Sequence, residues 1–364
     1  MKERRKRNMS RTGLLFMFCL LMLCGCAQIT GFMENTEVSG REVESLAAEK
    51  EDDTVLLGGM PVGIYMETDG VLVLDTEKMT GMDGKEYTPA QGVVSSGDYI
   101  TEVNHKKIEG KKQLMDLVEH LDGEKVLLTV RRENTILEKK LTPVQISKGN
   151  YRLGIWVRDD TQGIGTLTYV DQNGNYGALG HGISDIDTAQ LLNIRNGALY
   201  KARILAINKG SKGNPGELAG YICYDDRNIL GTIEANSRNG IYGQFTGIAD
   251  DAITLKKMPA AYKQEVKIGT ATILCSTDGE VKEYDAEIRK IDLNHEDTNK
   301  SFVIKVTDKE LLEATGGIVQ GLSGSPVIQN GKIIGAVTHV FVQDASSGYG
   351  IFIENMLKNT ERLF

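Results

Sequence analysis

The sequence predicts a mainly β protein in two parts, a small α+β domain over residues 54–146 and a β-barrel domain over residues 150–364. Three observations carry this. At 364 residues the chain is too long for one average domain and suits two. Short alternating apolar runs recur along most of it, separated by glycine turns, and helical spacing is rare. Turn dipeptides sit between strand-like runs, as at Asn173-Gly174 and Asn330-Gly331, and many short strands joined by tight turns build barrels or sandwiches.

The N-terminus stands apart from both parts. Six basic residues and one acidic residue fall within positions 1–12, so the rest of a chain of net charge −8 is strongly acidic. An acidic body argues against nucleic acid as a partner, because phosphate binding needs a basic surface. The basic start runs into the apolar stretch from Gly13 to Cys24, which has the length of a signal-peptide core and is short for a spanning helix. Residues 1–26 are therefore read as a signal or membrane segment, and the protein as exported. Leu23-Cys24-Gly25-Cys26 resembles a lipobox with Cys26 as the lipidated residue, so cleavage, lipidation and an uncleaved anchor are all open fates. Residues 27–53 are polar and acidic without an apolar period, and read as a tether. Beyond this region only Cys223 and Cys275 remain, far from a disulfide framework and without metal-ligand spacing. No metal or organic cofactor is expected.

From Val55 the texture changes to strand-like runs. Leu114, Leu117, Val118 and Leu121 then fall at helical spacing, and Asp122-Gly123 turns the chain into an alternating strand, Lys125 to Arg131. The stretch Ser96-Gly97-Asp98-Tyr99-Ile100, followed by Val103-Asn104-His105, resembles the strand and turn of a PDZ domain, with His105 where glycine is usual. The resemblance implies peptide binding by strand addition to an open sheet edge. It implies Gly59, Met60, Val62, Gly63 and Ile64 as the peptide-binding loop, in which Pro61 removes one N–H donor. The helical leucines read as core packing.

The second part carries the chemistry. In Gln320-Gly-Leu-Ser-Gly-Ser-Pro326, glycines at −2 and +1 to Ser323 permit a tight turn whose N–H groups, from Gly321 and Ser323, converge on a developing oxyanion. The string resembles the Gly-x-Ser-Gly-x-Pro signature of chymotrypsin-like peptidases, which makes Ser323 the nucleophile and Ser325 a bystander. A serine at its free pKa needs a base. His105 and His120 lie in the first domain, and His295 sits among Asn294, Glu296, Asp297 and Asn299 as in a solvated loop. His181, flanked by Gly180 and Gly182 after a hairpin and preceding the serine, is the base. His339 falls where such folds wall the specificity pocket, and its imidazole is read as helping to recognise a polar or acidic P1 side chain. The orienting acid has several candidates in the residues alone: Asp185, Asp187, Asp250, Asp251 and Asp308.

Tyr176 to Asp185, Gly231-Thr-Ile-Glu234, Gly240-Ile-Tyr-Gly243, and Gly321 to Pro326 with Thr338-His-Val340 together resemble stage IV sporulation protein B, a family of PDZ-containing serine peptidases. The resemblance spans nearly the whole chain and implies a triad on the positions of His181, Asp308 and Ser323. It further implies export into the space between the two sporulation membranes and cleavage of a membrane-bound regulatory protein. By the same resemblance that cut would trigger intramembrane proteolysis and late sigma-factor activation, and the chain would also cleave itself. Leu322 stands where chymotrypsin zymogens keep an aspartate, which excludes activation by that ion pair. Two rivals stand beside this reading: a non-catalytic PDZ peptide sensor in the envelope, and an envelope quality-control protease. The second would place the PDZ after the catalytic domain, whereas here it comes first.

Overall fold

The computed structural model describes residues 54–247, 255–294 and 298–364. The segments 1–26 and 27–53, Cys26, Asp250 and Asp251 lie outside the described residues. In chain order the first elements are β1 (Thr54–Leu57), β2 (Pro61–Thr76), β3 (Tyr99–Val103), α1 (Lys111–Glu119), β4 (Val126–Arg132) and β5 (Thr135–Leu141), and then β6 (Ile155–Val170), β7 (Asn175–Ala178), β8 (Ile194–Asn208) and β9 (Gly240–Gln244). After them come β10 (Gly269–Ser276), β11 (Val281–Ile291), β12 (Phe302–Val306), α2 (Lys309–Thr315), β13 (Pro326–Gln329), β14 (Lys332–Phe341), β15 (Asp344–Phe352) and α3 (Ile353–Leu363). The protein is mainly β, as its alternating apolar pattern requires.

Four cores organise these elements, one of them joining β1 and α3 to the barrel through Val55, Tyr169, Ile333 and Met356. Of the other three, the first lies inside a closed barrel with strand order β10-β11-β12-β15-β14-β13, built on Ile273, Ile288, Ile304, Val327 and Val337. One of its two-residue turns is Asn330-Gly331, with φ of 53° and 76°, the primed geometry that suits the twist of a hairpin. A second core, with Val62, Ile64, Leu167, Tyr176 and Leu199, is wrapped by a curled sheet in which β8, β2, β6, β7 and β9 are neighbours. A bridge between Gly231 and Phe245 draws the two ends of that sheet together. The third core, around Val71, Ile100, Leu114, Leu128 and Val130, is the PDZ-like part.

The domain boundaries read from the sequence need correcting. β2 pairs with β6 from Thr166↔Pro61 at one end to Ile155↔Thr76 at the other. The first half of β2 therefore belongs to the curled sheet, and its second half to the PDZ-like part. Residues 54–68 are thus a piece of the curled sheet, the first large sheet in the chain, while residues 150–157 belong to the PDZ-like part. The PDZ-like part is inserted into a hairpin of the first sheet. Linear texture could not show this, because the partner of β2 lies some ninety residues downstream.

The proposed peptide loop is corrected for the same reason. Val62 and Ile64 are fully buried in the second core, and Gly63 is paired to Ile164 on one side and Tyr200 on the other. Backbone groups already spent in two ladders cannot receive a peptide strand. The open groove of the PDZ-like part lies elsewhere, between α1 and residues 149–157. It encloses about 740 Å³ and is lined by Leu114, Met115, Val118, Leu153, Ile155 and Trp156. Trp156, the chain's single tryptophan, is 59% exposed there.

Candidate active site

The serine loop is held by the first sheet. The Thr166 hydroxyl donates to the Gly321 carbonyl at 2.8 Å, the Thr166 N–H to the Ser323 carbonyl at 3.0 Å, and the Thr168 hydroxyl to the Gly324 carbonyl at 2.7 Å. The two hydroxyls come from one face of β6, where alternate residues point the same way. Gly324 needs to be glycine: its φ is +95° and an added Cβ would meet the Thr166 carbonyl oxygen at 2.2 Å. With the loop pinned through its carbonyls, the N–H groups of Gly321 and Ser323 have no backbone partner among the described residues. Two N–H groups left open beside a serine hydroxyl can receive an oxyanion.

The histidine comes from the other direction. β7 ends in a turn with φ of 68° at Leu179 and 67° at Gly180, and His181 follows. Its Nδ1 lies 2.9 Å from the Gly182 carbonyl. A carbonyl can only accept, so Nδ1 carries the proton and Nε2 keeps the lone pair a base requires. Burial pushes the imidazole below its ordinary value, with the Gly182 carbonyl opposing that shift. The ring of His339 lies against it, with centroids 4.9 Å apart.

His181, Ser323 and His339 line one cleft of about 400 Å³, together with Ile64, Thr161, Gln162, Ile164, Ile183, Val319 and Gln320. No Asp, Glu, Lys or Arg lines it. The fold thus brings together three residues that the sequence singled out, from positions 142 and 158 apart. It also brings Ile64 there, from the presumed peptide loop. In this resting arrangement the Ser323 hydroxyl donates to the Thr338 carbonyl at 2.7 Å, and no hydrogen bond joins it to His181.

Asp308 is not brought to His181. Its carboxylate caps α2, accepting from the Leu311 N–H at 2.9 Å, and its second oxygen accepts from the Asp285 N–H at 3.4 Å. Ile304, on β12, is level with Gly348, which packs on the His339 carbonyl. Asp308 lies beyond the end of β12, where its N–H bonds the Asp285 carbonyl at 3.0 Å. Asp185 and Asp187 are engaged by Arg158 instead. Cys223 and Cys275 are both free thiols, and burial with Asp308 nearby pushes Cys275 up to about 12. Among the described residues no group of His, Cys, Asp or Glu is arranged to hold a metal, and no helix is long and apolar enough to cross a membrane.

Thr166 and Thr168 were missed by the sequence reading. The signal available was the Thr-x-Thr spacing within an apolar strand, which puts two hydroxyls on one face.

The family profile SpoIVB peptidase S55 matches residues 149–357, more than half the chain and the whole of the cleft apart from Ile64. The chain belongs to the SpoIVB peptidase S55 family. With it the chain joins the serine peptidases. A curated relative, "Putative zinc metalloprotease" of Helicobacter pylori, is 28% identical over 180 residues, covering 43% of this chain and 50% of the relative. The chain thus spans about half the length of that protein. Two solved structures are similar in part. The PDZ domain of the SdrC-like protein of Listeria monocytogenes is 24% identical, covering 24% of this chain and 87% of that one, with a TM-score of 0.20. The active form of the Rv3671c protease of M. tuberculosis is 16% identical, covering 56% of this chain and 74% of that one, with a TM-score of 0.29. At those TM-scores neither decides anything about this member of the S55 family.

Proposed function

We propose that this S55 peptidase is an endopeptidase working through an acyl-enzyme, with Ser323 as nucleophile and His181 as general base and then acid. The observation that carries the reading is the shared cleft. A histidine with its Nε2 lone pair available and a serine with two open N–H groups beside it line one 400 Å³ space, although they lie in different halves of the molecule. In the reaction the Ser323 hydroxyl turns from the Thr338 carbonyl towards Nε2, which takes its proton as Oγ attacks the scissile carbonyl. The oxyanion forms against the N–H groups of Gly321 and Ser323. His181 then returns the proton to the leaving amine, and water completes the cycle by the reverse path.

The physiological setting is part of the proposal. By family, the substrate is a membrane-bound regulatory protein of sporulation whose cleavage triggers intramembrane proteolysis, and the chain is also its own substrate. The open groove with exposed Trp156 and Met115 supports peptide capture ahead of the cleft. His339 is proposed to help read P1, and an unchanged P1 preference in His339→Ala dismisses that role. A second reading, a peptide receptor without catalysis, is favoured by the Ser323 hydroxyl resting on Thr338 rather than His181. Mass spectrometry of self-cleavage products separates the two. The enzyme fragments itself while Ser323→Ala and His181→Ala stay intact; a receptor shows no difference among the three.

A further inference from the structure

The peptide groove and the catalytic histidine are joined by a side chain that neither site uses. β6 walls the groove at Ile155 to Val157 and pins the serine loop at Thr166 and Thr168, about ten residues along the same strand. Between these ends lies Arg158, just where the β2–β6 register shifts and the hairpin passes from the PDZ-like part into the first sheet. Its guanidinium bonds the Asp185 carboxylate with one arm and reaches Asp187 at 2.8 Å with the other.

Asp185 organises the loop that begins at His181. It is 3% exposed, and its free oxygen accepts from the N–H groups of Asp187 and Thr188 at 3.0 and 2.9 Å. Its own N–H bonds the Gln190 carbonyl, and its carbonyl receives the Ala189 N–H. Asn236 closes the loop base by bonding Ile183 through both its amide groups and the Leu192 carbonyl. Residues 182–192 therefore form one closed unit with His181 at its mouth and a buried carboxylate at its centre. Asp159, the next residue along β6, binds the first turn of α1 through the Lys111 N–H at 2.7 Å and the Lys111 ammonium at 3.4 Å. Both walls of the groove thus end on neighbouring residues of one strand.

We propose that Arg158 is a positioning residue for His181, tying β6 to the loop that aims the imidazole through Asp185 and Asp187. The inference rests on Ser323 and His181 being the catalytic pair. A buried carboxylate left without its guanidinium strains or recharges its surroundings, and a displacement of about 1 Å at a catalytic group can cost on the order of a hundredfold in rate. Neither Arg158 nor Asp187 lines the cleft, so substrate binding is not their direct business.

The test uses the full chain with Arg158→Lys, which keeps the charge but not the two-carboxylate fork, and Asp187→Asn, which alters only the exposed arm. Circular dichroism establishes folding. The readouts are kcat, KM and the rate at which a fluorophosphonate labels Ser323, a reaction that needs the base but not a peptide. Labelling rate and kcat should fall together on the order of tenfold in Arg158→Lys, less in Asp187→Asn, with KM unchanged. Wild-type labelling and kcat in both folded variants, or a loss confined to KM, overturns the proposal. Labelling that persists in Ser323→Ala instead removes the catalytic reading beneath it, and the proposal with it.

Discussion

Replacing Thr166 by valine tests whether the first sheet shapes the oxyanion site beside the closed barrel. Valine has nearly the same shape, so packing in β6 is kept and only the hydroxyl is lost. That hydroxyl is buried and donates to the Gly321 carbonyl at 2.8 Å. Its removal leaves a buried carbonyl unsatisfied, which costs about 1–3 kcal/mol. In a domain of this size that lowers Tm by roughly 2–4 °C per kcal/mol. The functional loss should be separate from the stability loss. Deleting one oxyanion donor outright costs about a hundredfold to a thousandfold in kcat, and here the donors persist while one anchor of their loop is cut. A loss of about tenfold to a hundredfold in kcat is therefore expected, with little change in KM. Peptide hydrolysis followed well below Tm, beside a thermal melt, gives both quantities. A melt lowered as calculated with kcat intact would refute the idea that this bond shapes the site.

Other outcomes follow from the same geometry. Asp308→Asn keeps a helix-capping side chain, so kcat should stay near wild type; a loss approaching ten-thousandfold would instead mark a triad acid holding the imidazole tautomer. Because burial holds the His181 imidazole below its ordinary value of 6.5, and only the neutral ring is a base, the acid limb of kcat/KM should fall below pH 6.5. A midpoint above 6.5 contradicts that environment. Trp156 is the chain's one tryptophan and lines the groove, so titration with an apolar peptide should shift its emission to the blue, and an unchanged spectrum at saturation argues against capture there.

Local chemistry was the legible part of this sequence. The Asn330-Gly331 hairpin, the glycine-flanked Ser323 and the glycine-flanked His181 are each decided within a few residues, and each stands where its own string put it. Long-range pairing was not legible. The PDZ resemblance implies a binding loop at Gly59 to Ile64, yet the register of Gly63 with Ile164 and Tyr200 makes this an inner strand. The actual groove string, Arg152-Leu-Gly-Ile-Trp156, falls within the barrel domain on a linear reading because its helix lies some forty residues upstream. Asp308 shows a different limit. Spacing to the serine can match a family pattern while the carboxylate itself caps a helix, since one-dimensional spacing carries no direction. Arg158 and Asp185 are ordinary charged residues until the fold places them together.

The most direct measurement is the site and rate of covalent labelling by a fluorophosphonate, read by peptide mass spectrometry on the wild type and on His181→Ala. The account predicts one adduct, on Ser323, formed at least a thousandfold more slowly when the imidazole is gone, in line with the loss of a triad member. An adduct on another residue, or equal labelling of Ser323 with and without His181, would contradict the claim that these two side chains act together.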